Sequence, residues 1–85
     1  MSELVWEPYI NEISRAQGKI AKSKRLIFKI LPGQYSMELR IQKAYTGALL
    51  KILNFEDLNL AISIAEQIHS DCLAGWDIHD LLKRF

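Results

Sequence analysis

The sequence contains one cysteine, two prolines and no long apolar run. A single cysteine cannot form an internal disulfide, which excludes a disulfide-stapled secreted domain and indicates a reducing compartment. Uninterrupted apolar stretches are short, as in LIF and LAI, and a membrane-spanning helix needs about 20 apolar residues. The first residues, MSELVWEPY, carry an acid where a signal peptide would carry lysines. We therefore expect a cytoplasmic protein.

Each half of the chain lacks charge of one sign. No acid lies between Glu12 and Glu38, and no base lies between Lys51 and Lys83. The first gap holds six bases: Arg15, Lys19, Lys22, Lys24, Arg25 and Lys29. The second holds six acids: Glu56, Asp57, Glu66, Asp71, Asp77 and Asp80. The two segments are complementary, so they either pair within one chain, pair across a dimer, or face two different partners.

The length and composition predict one globular domain. The chain has 85 residues, 49% of them hydrophobic and 25% charged, which is typical of a folded domain with a modest core. The sequence shows no internal repeat, linker or low-complexity tract. Residues 1–85 are therefore expected to form a single domain.

The spacing of apolar residues favours helices. A first helix is predicted at about 6–31, beginning near Val5–Glu7. At 100° per residue, its apolar stripe consists of Val5, Tyr9, Ile13, Ala16, Ile20, Ile27, Ile30 and Leu31. Pro8 suits the first turn of such a helix, and Pro32 with Gly33 ends it. Gly18 falls on the outer side of this helix, where it would weaken the helix by about 1 kcal/mol.

Three further segments complete the predicted bundle. A second helix is expected at about 36–53, a third at about 55–73 and a short fourth at about 78–85. Asn54 is the expected cap of the third helix, with Asp57 as its capping-box partner, and Asp77 is the expected cap of the fourth. The fold class predicted from the sequence is all-α, a small helical bundle of three main helices and a short C-terminal one.

No motif of catalytic or cofactor chemistry is present. His69, Cys72 and His79 are the soft metal ligands of the chain, but a zinc site needs three or four ligands at suitable spacing, and Cys72 falls on the apolar side. Cys72 is read as a core residue and not as a nucleophile, because Asp71 and Asp77 would disfavour its thiolate. We predict no enzyme activity, no metal and no cofactor.

Protein–protein association is the leading functional interpretation. Aromatic and apolar residues lie at the predicted helix ends or off the main stripes, where a three-helix core could not cover all of them. The predicted contact residues are Trp6, Phe28, Tyr35, Leu39, Leu50, Phe55, Trp76 and Phe85. A basic face, formed by Arg15, Lys22, Arg25 and Lys29, would steer the partner. The protein would be an adaptor, chaperone or regulatory subunit that binds another protein or itself, with a homodimer plausible.

Two alternatives use the basic helix 15–29. It could follow a phosphate backbone and make the protein a nucleic-acid-binding regulator, although the sequence pI of 7.9 is low for such a domain. It could also lie on an anionic membrane, a less favoured role because the core needs its apolar side. A small bundle with a basic face resembles bacteriocin immunity proteins, and a long helix, PGQY and a second helix are similar to small helical-hairpin secretion chaperones. Both resemblances concern the fold alone.

Overall fold

Five strands and two helices form the chain in the computed structural model, which describes residues 4–11, 16–33 and 35–85. The strands are β1 (Glu7–Asn11), β2 (Ala16–Lys22), β3 (Leu26–Pro32), β4 (Met37–Lys43) and β5 (Leu49–Phe55). They form one antiparallel sheet in the order β1-β2-β3-β4-β5. Helices α1 (Leu58–Leu73) and α2 (Ile78–Leu82) follow the sheet.

The all-α bundle predicted from the sequence is wrong. The segment 6–31 contains β1, β2 and most of β3, and the segment 36–53 contains β4 and most of β5. The segments 55–73 and 78–85 contain α1 and α2. The two resemblances to helical proteins depended on the bundle and are overturned with it.

Strict alternation of side chains explains β4. Its sequence, MELRIQK, places Leu39 and Ile41 on one face, where both are completely buried. Glu38 and Arg40 project to the other face and form an ion pair, with 3.0 Å between Arg40 Nε and Glu38 Oε2. A two-residue period of this kind matches a half-covered strand and does not match a helix.

The core lies between one face of the sheet and α1. The helix packs against β3, β4 and β5 through residues at helical spacing: Ala61, Ala65, Ile68 and Cys72. The sheet supplies Phe28, Ile30, Leu39 and Ile41, none of which has exposed surface. The opposite face, here called the open face, carries a row of paired neighbours across all five strands: Glu7, Ile20, Lys29, Arg40 and Ile52.

Two aspartates begin the helices. Asp57 caps α1, because its Oδ1 accepts the Leu60 N–H at 2.9 Å. The expected cap, Asn54, lies instead within β5. Asp77 caps α2 as expected, with its Oδ2 accepting the Asp80 N–H at 3.3 Å. Side-chain oxygens at these positions satisfy backbone donors that a helix start leaves free.

Neither helix combines the length and apolar character needed to cross a bilayer, for the part of the chain that the structure describes.

Gly18 distinguishes the sheet from the helix that the sequence suggested. A Cβ atom at this position would collide with the carbonyl oxygen of Ile30 and press on the Leu31 side chain. We expect Gly18→Ala to lower the free energy of unfolding by about 1–3 kcal/mol, because the neighbouring strand backbone cannot move away. Urea denaturation followed by circular dichroism measures this. In the interior of an exposed helix the same change would stabilise the protein, so an increase would contradict the sheet.

Candidate functional site

A tight turn between β2 and β3 carries part of the basic segment. Ser23 closes it twice: its backbone N–H donates to the Leu26 carbonyl at 2.8 Å, and its Oγ accepts the Leu26 N–H at 3.0 Å. Lys24 and Arg25 lie at the tip of this turn and are exposed. The local hydrogen bonds of Ser23 therefore hold two cations at one end of the sheet.

Arg25 joins this turn to the rest of the fold. Its carbonyl accepts the Ala44 N–H at 3.0 Å, beyond the end of β4. Its guanidinium Nη1 lies 3.5 Å from the Cys72 carbonyl in the last turn of α1. Carbonyls at a helix C-terminus carry partial negative charge and favour a cation there. Arg25 is thus held between β4 and the end of α1.

Two hollows meet at Arg25. One, of about 510 Å³, is lined by Lys22, Ser23, Lys24, His69 and Leu73, among others. The second, of about 420 Å³, is lined by Lys43, Tyr45, Trp76, Asp77 and Ile78, among others. Arg25 and Cys72 line both. We call these two adjoining hollows together the basic cleft.

The basic cleft carries an excess of positive charge. Lys22, Lys24, Arg25 and Lys43 line it, together with a single acid, Asp77. Within residues 4–11, 16–33 and 35–85 the ion pairs are Arg40–Glu38 and Lys83–Asp80, so none of the four cations has an acidic partner there. Neither of these two ion pairs joins the basic segment 15–29 to the acidic segment 56–80, among the residues that the structure describes.

Two aromatic side chains flank these cations. Tyr45, in the turn between β4 and β5, is 93% exposed. Trp76 is 46% exposed, and the Arg84 guanidinium lies 4.2 Å from the centroid of its ring. Tyr45 falls within the predicted helix 36–53, and the structure places it in a turn. The signal for its true position was the following Thr46–Gly47, since Gly47 adopts a positive φ of 69° that suits a turn.

His69 and Cys72 form the wall between the basic cleft and the core. Cys72 is a buried free thiol. The His69 ring meets Phe28 edge-on, with 6.3 Å between ring centroids. Burial lowers the pKa of His69 below its usual value of 6.5, because an imidazolium loses hydration there. Among the described residues, no three histidine, cysteine or acidic side chains lie close enough together to hold a metal ion.

The predicted contact residues divide into three groups in the structure. Phe28 and Leu39 are completely buried in the core. Trp6, Leu50 and Phe55 are half-buried and pack against that core. Tyr35, Trp76 and Phe85 are exposed.

The predicted basic face is also divided. Lys22 and Arg25 line the basic cleft. Lys29 belongs to the open face, where its Nζ lies 5.7 Å from the centroid of the Tyr9 ring. Arg15 lies outside the described residues. Lys43, which the sequence assigned to a different helix, joins the cleft because it pairs with Leu26 across β3 and β4.

The second candidate surface is the outer edge of β5. This strand ends the sheet, and its sequence LLKILNF is apolar apart from Lys51 and Asn54. Leu49 is 50% exposed and Ile52 40% exposed. The Lys51 Nζ donates to the Leu82 carbonyl at 2.7 Å, which turns the charge of the strand toward α2.

No protein-family model matches this chain, and neither a curated protein nor a solved structure is significantly similar to it.

The buried imidazole makes stability depend on pH. Well above pH 6.5 both the folded and unfolded chains hold His69 neutral. As the pH falls below 6.5, the unfolded chain takes up the proton more readily, since folding lowers the pKa of His69. We expect the free energy of unfolding to decrease between about pH 7 and pH 5.5, in the window where histidine titrates. Urea titrations at several pH values measure the slope.

His69→Gln provides the control for this prediction and should flatten the pH dependence in that window. An unchanged slope in His69→Gln would assign the effect to other groups.

Proposed function

We propose that this chain is a small non-enzymatic interaction protein, an adaptor or regulatory subunit, which binds through the outer edge of β5 and whose partner there is a second copy of itself. The observation that carries the proposal is an apolar seven-residue strand at the border of the sheet. A reducing compartment such as the cytoplasm suits a chain whose one cysteine is a buried free thiol.

The two edges of the sheet differ in how they are protected. On β1, Pro8 removes a backbone donor and Glu7 adds an exposed charge, two devices that discourage pairing of edge strands. β5 contains no proline, and the amine of its lysine is directed to α2. In the described part of the chain, no hydrogen bond beyond those of the sheet involves the β5 backbone. The outer N–H and C=O groups of β5 are therefore available to another strand.

The exposed side chains of β5 suit a second copy of the same strand. In an antiparallel pair centred on Ile52, each Ile52 side chain meets its counterpart across a two-fold axis, next to the Arg40–Ile52 row of the open face. Leu49, which pairs with Gln42, lies on the same face as Ile52, near the start of the strand. Pairing thus covers Leu49 and Ile52, the two exposed apolar side chains of the strand.

Charge at the two ends of β5 supports the same arrangement. Near its start, Lys83 lines a hollow with Leu49 and Leu50 and forms a long, exposed ion pair of 3.9 Å with Asp80. Directly after its end come the exposed acids Glu56 and Asp57. Antiparallel pairing brings the basic end of one copy beside the acidic end of the other, twice per dimer.

Substitution at the axis tests this proposal. We expect the wild-type chain to dimerise in the micromolar range and Ile52→Lys to weaken the dimer about tenfold or more, because two lysines would then face each other on the axis in place of apolar contact. Light scattering coupled to size-exclusion chromatography across a concentration series measures this. Ile10→Lys, the same change at an exposed position of β1, is the matched control and should dimerise as the wild type does.

A charge exchange tests the register. Glu56→Lys and Lys83→Glu should each weaken the dimer by about two- to fivefold, as expected for exposed ion pairs, and the double variant should recover affinity. A wild-type chain that remains monomeric throughout the concentration series would refute the proposal. Dissociation by Ile10→Lys and not by Ile52→Lys would assign the contact to the other edge.

A further inference from the structure

We infer that the basic cleft binds single-stranded nucleic acid. This surface lies around Arg25 and is separate from the outer edge of β5 on which the proposed dimer rests. Three arguments support the inference: the convergence of cations, the exposed aromatic rings beside them, and the small amount of acid nearby.

The cations come from separate parts of the chain and converge at one end of the sheet. Lys22 ends β2, Lys24 and Arg25 form the next turn, and Lys43 ends β4. The register brings the two strand ends to the same end of the sheet, since Lys22 pairs with Ile27 and Lys43 with Leu26. Leu26 and Ile27 are successive residues, so Lys22 lies on the open face and Lys43 on the side of α1. Cations arranged along a groove in this way can follow a phosphate backbone.

The charge of the cleft is left for an external partner. None of the four cations forms an ion pair with a described residue. The acid in the cleft, Asp77, accepts the Asp80 N–H as the cap of α2, so its carboxylate is already engaged at the helix start. Arg25 contacts a neutral carbonyl, that of Cys72. A polyanion bound here would meet positive charge that the described residues do not neutralise.

The aromatic residues distinguish a single strand from other polyanions. Tyr45 and Lys43 line the same hollow of the cleft, and Tyr45 is almost entirely exposed. Trp76 lines the same hollow, with Arg84 near its ring. Unpaired bases stack on exposed aromatic rings, and cations beside those rings contact the phosphates. Duplex bases are already stacked on one another, so a duplex would gain little from Tyr45.

Fluorescence anisotropy with labelled oligonucleotides of about 12 nucleotides, within the range of single-strand sites, tests this inference. Oligo-dT and oligo-rU are the probes, and a duplex of equal length is the comparison. If four cations each contact one phosphate, affinity should fall about 50-fold between 50 and 200 mM salt. The single strands should bind more tightly than the duplex.

Variants separate the contributions of charge and stacking. Lys24→Ala combined with Lys43→Ala should weaken binding and reduce the magnitude of the logarithmic salt slope by about 1.4. Tyr45→Ala should weaken binding about tenfold with little change in that slope, because stacking does not release counterions. Lys19→Ala, a lysine of β2 that lines a different hollow beside Ile10, is the matched control and should bind as the wild type does.

Several results would overturn the inference. Absence of binding at 50 mM salt would exclude the cleft as a nucleic-acid site. Equal affinity for single strand, duplex and polyglutamate would show attraction to any polyanion. Unchanged binding in Tyr45→Ala would remove the argument from stacking. Because Tyr45 is exposed and distant from the core, its variant should keep the wild-type circular dichroism, so lost binding would report lost contact.

Discussion

The packing of one helix against one face of the sheet is the constraint on which the other features depend. Ala61 and Ala65 give α1 a narrow apolar side, which allows it to approach the completely buried Phe28 and Leu39 closely. A helix is about 10 Å wide and strands are about 4.8 Å apart, so one helix covers two or three strands. α1 packs on β3, β4 and β5. Because α1 covers only the core side of these strands, the open face is in contact with water, which explains why Lys29, Glu38 and Arg40 lie there.

The same constraint produces the basic cleft. The C-terminal end of α1 stops at the end of the sheet where the β2–β3 turn and the β4–β5 turn emerge. Two strand connections and one helix end enclose a groove there, and Arg25 fills its middle by contacting the Cys72 carbonyl. Residues from four separate stretches of sequence line it. The cleft thus forms because two strand connections and the C-terminal end of α1 meet at one end of the sheet. Its residues are distant in sequence and do not form a local motif.

The helices could be read from the sequence better than the strands could. Asp77 is a short-range signal for the start of α2, and the apolar spacing of 58–73 has no competing two-residue period. The sequence of β3, LIFKILP, is almost continuously hydrophobic, because Leu31 is buried as well as Phe28 and Ile30. It therefore shows no clear two-residue period, and a helix fitted it equally well. The pairing of β4 with β5 shifts register between Ile41 and Gln42, which pair with Lys51 and Leu49. The alternation of side chains in β5 is interrupted there, so LLKILNF shows no regular two-residue period. The evidence for a strand that the helical interpretation overlooked is MELRIQK, in which apolar and polar residues alternate regularly.

The candidate site was predictable only in part, for a related reason. Lys22 and Arg25 are close in sequence, and the basic segment was visible as a cluster. Lys43 and Tyr45 join them only through the hairpin between β4 and β5, which a helical reading of 36–53 cannot form. Phe28 and Leu39 were expected at a surface because the helical wheel placed them off the core line. In the sheet both are completely buried, as are Ile30 and Ile41 of the same strands.

Pro8 has a consequence for the size of any assembly. A sheet with two receptive edges can add copies at both sides and grow without limit, as fibres do. Here β1 carries a residue that cannot donate a hydrogen bond, and β5 would be consumed by a single pairing with its own copy. Such a sheet stops growing after one pairing, when the two copies together have ten strands. The backbone nitrogen of Pro8, which carries no hydrogen, would then limit association to a dimer and prevent a polymer.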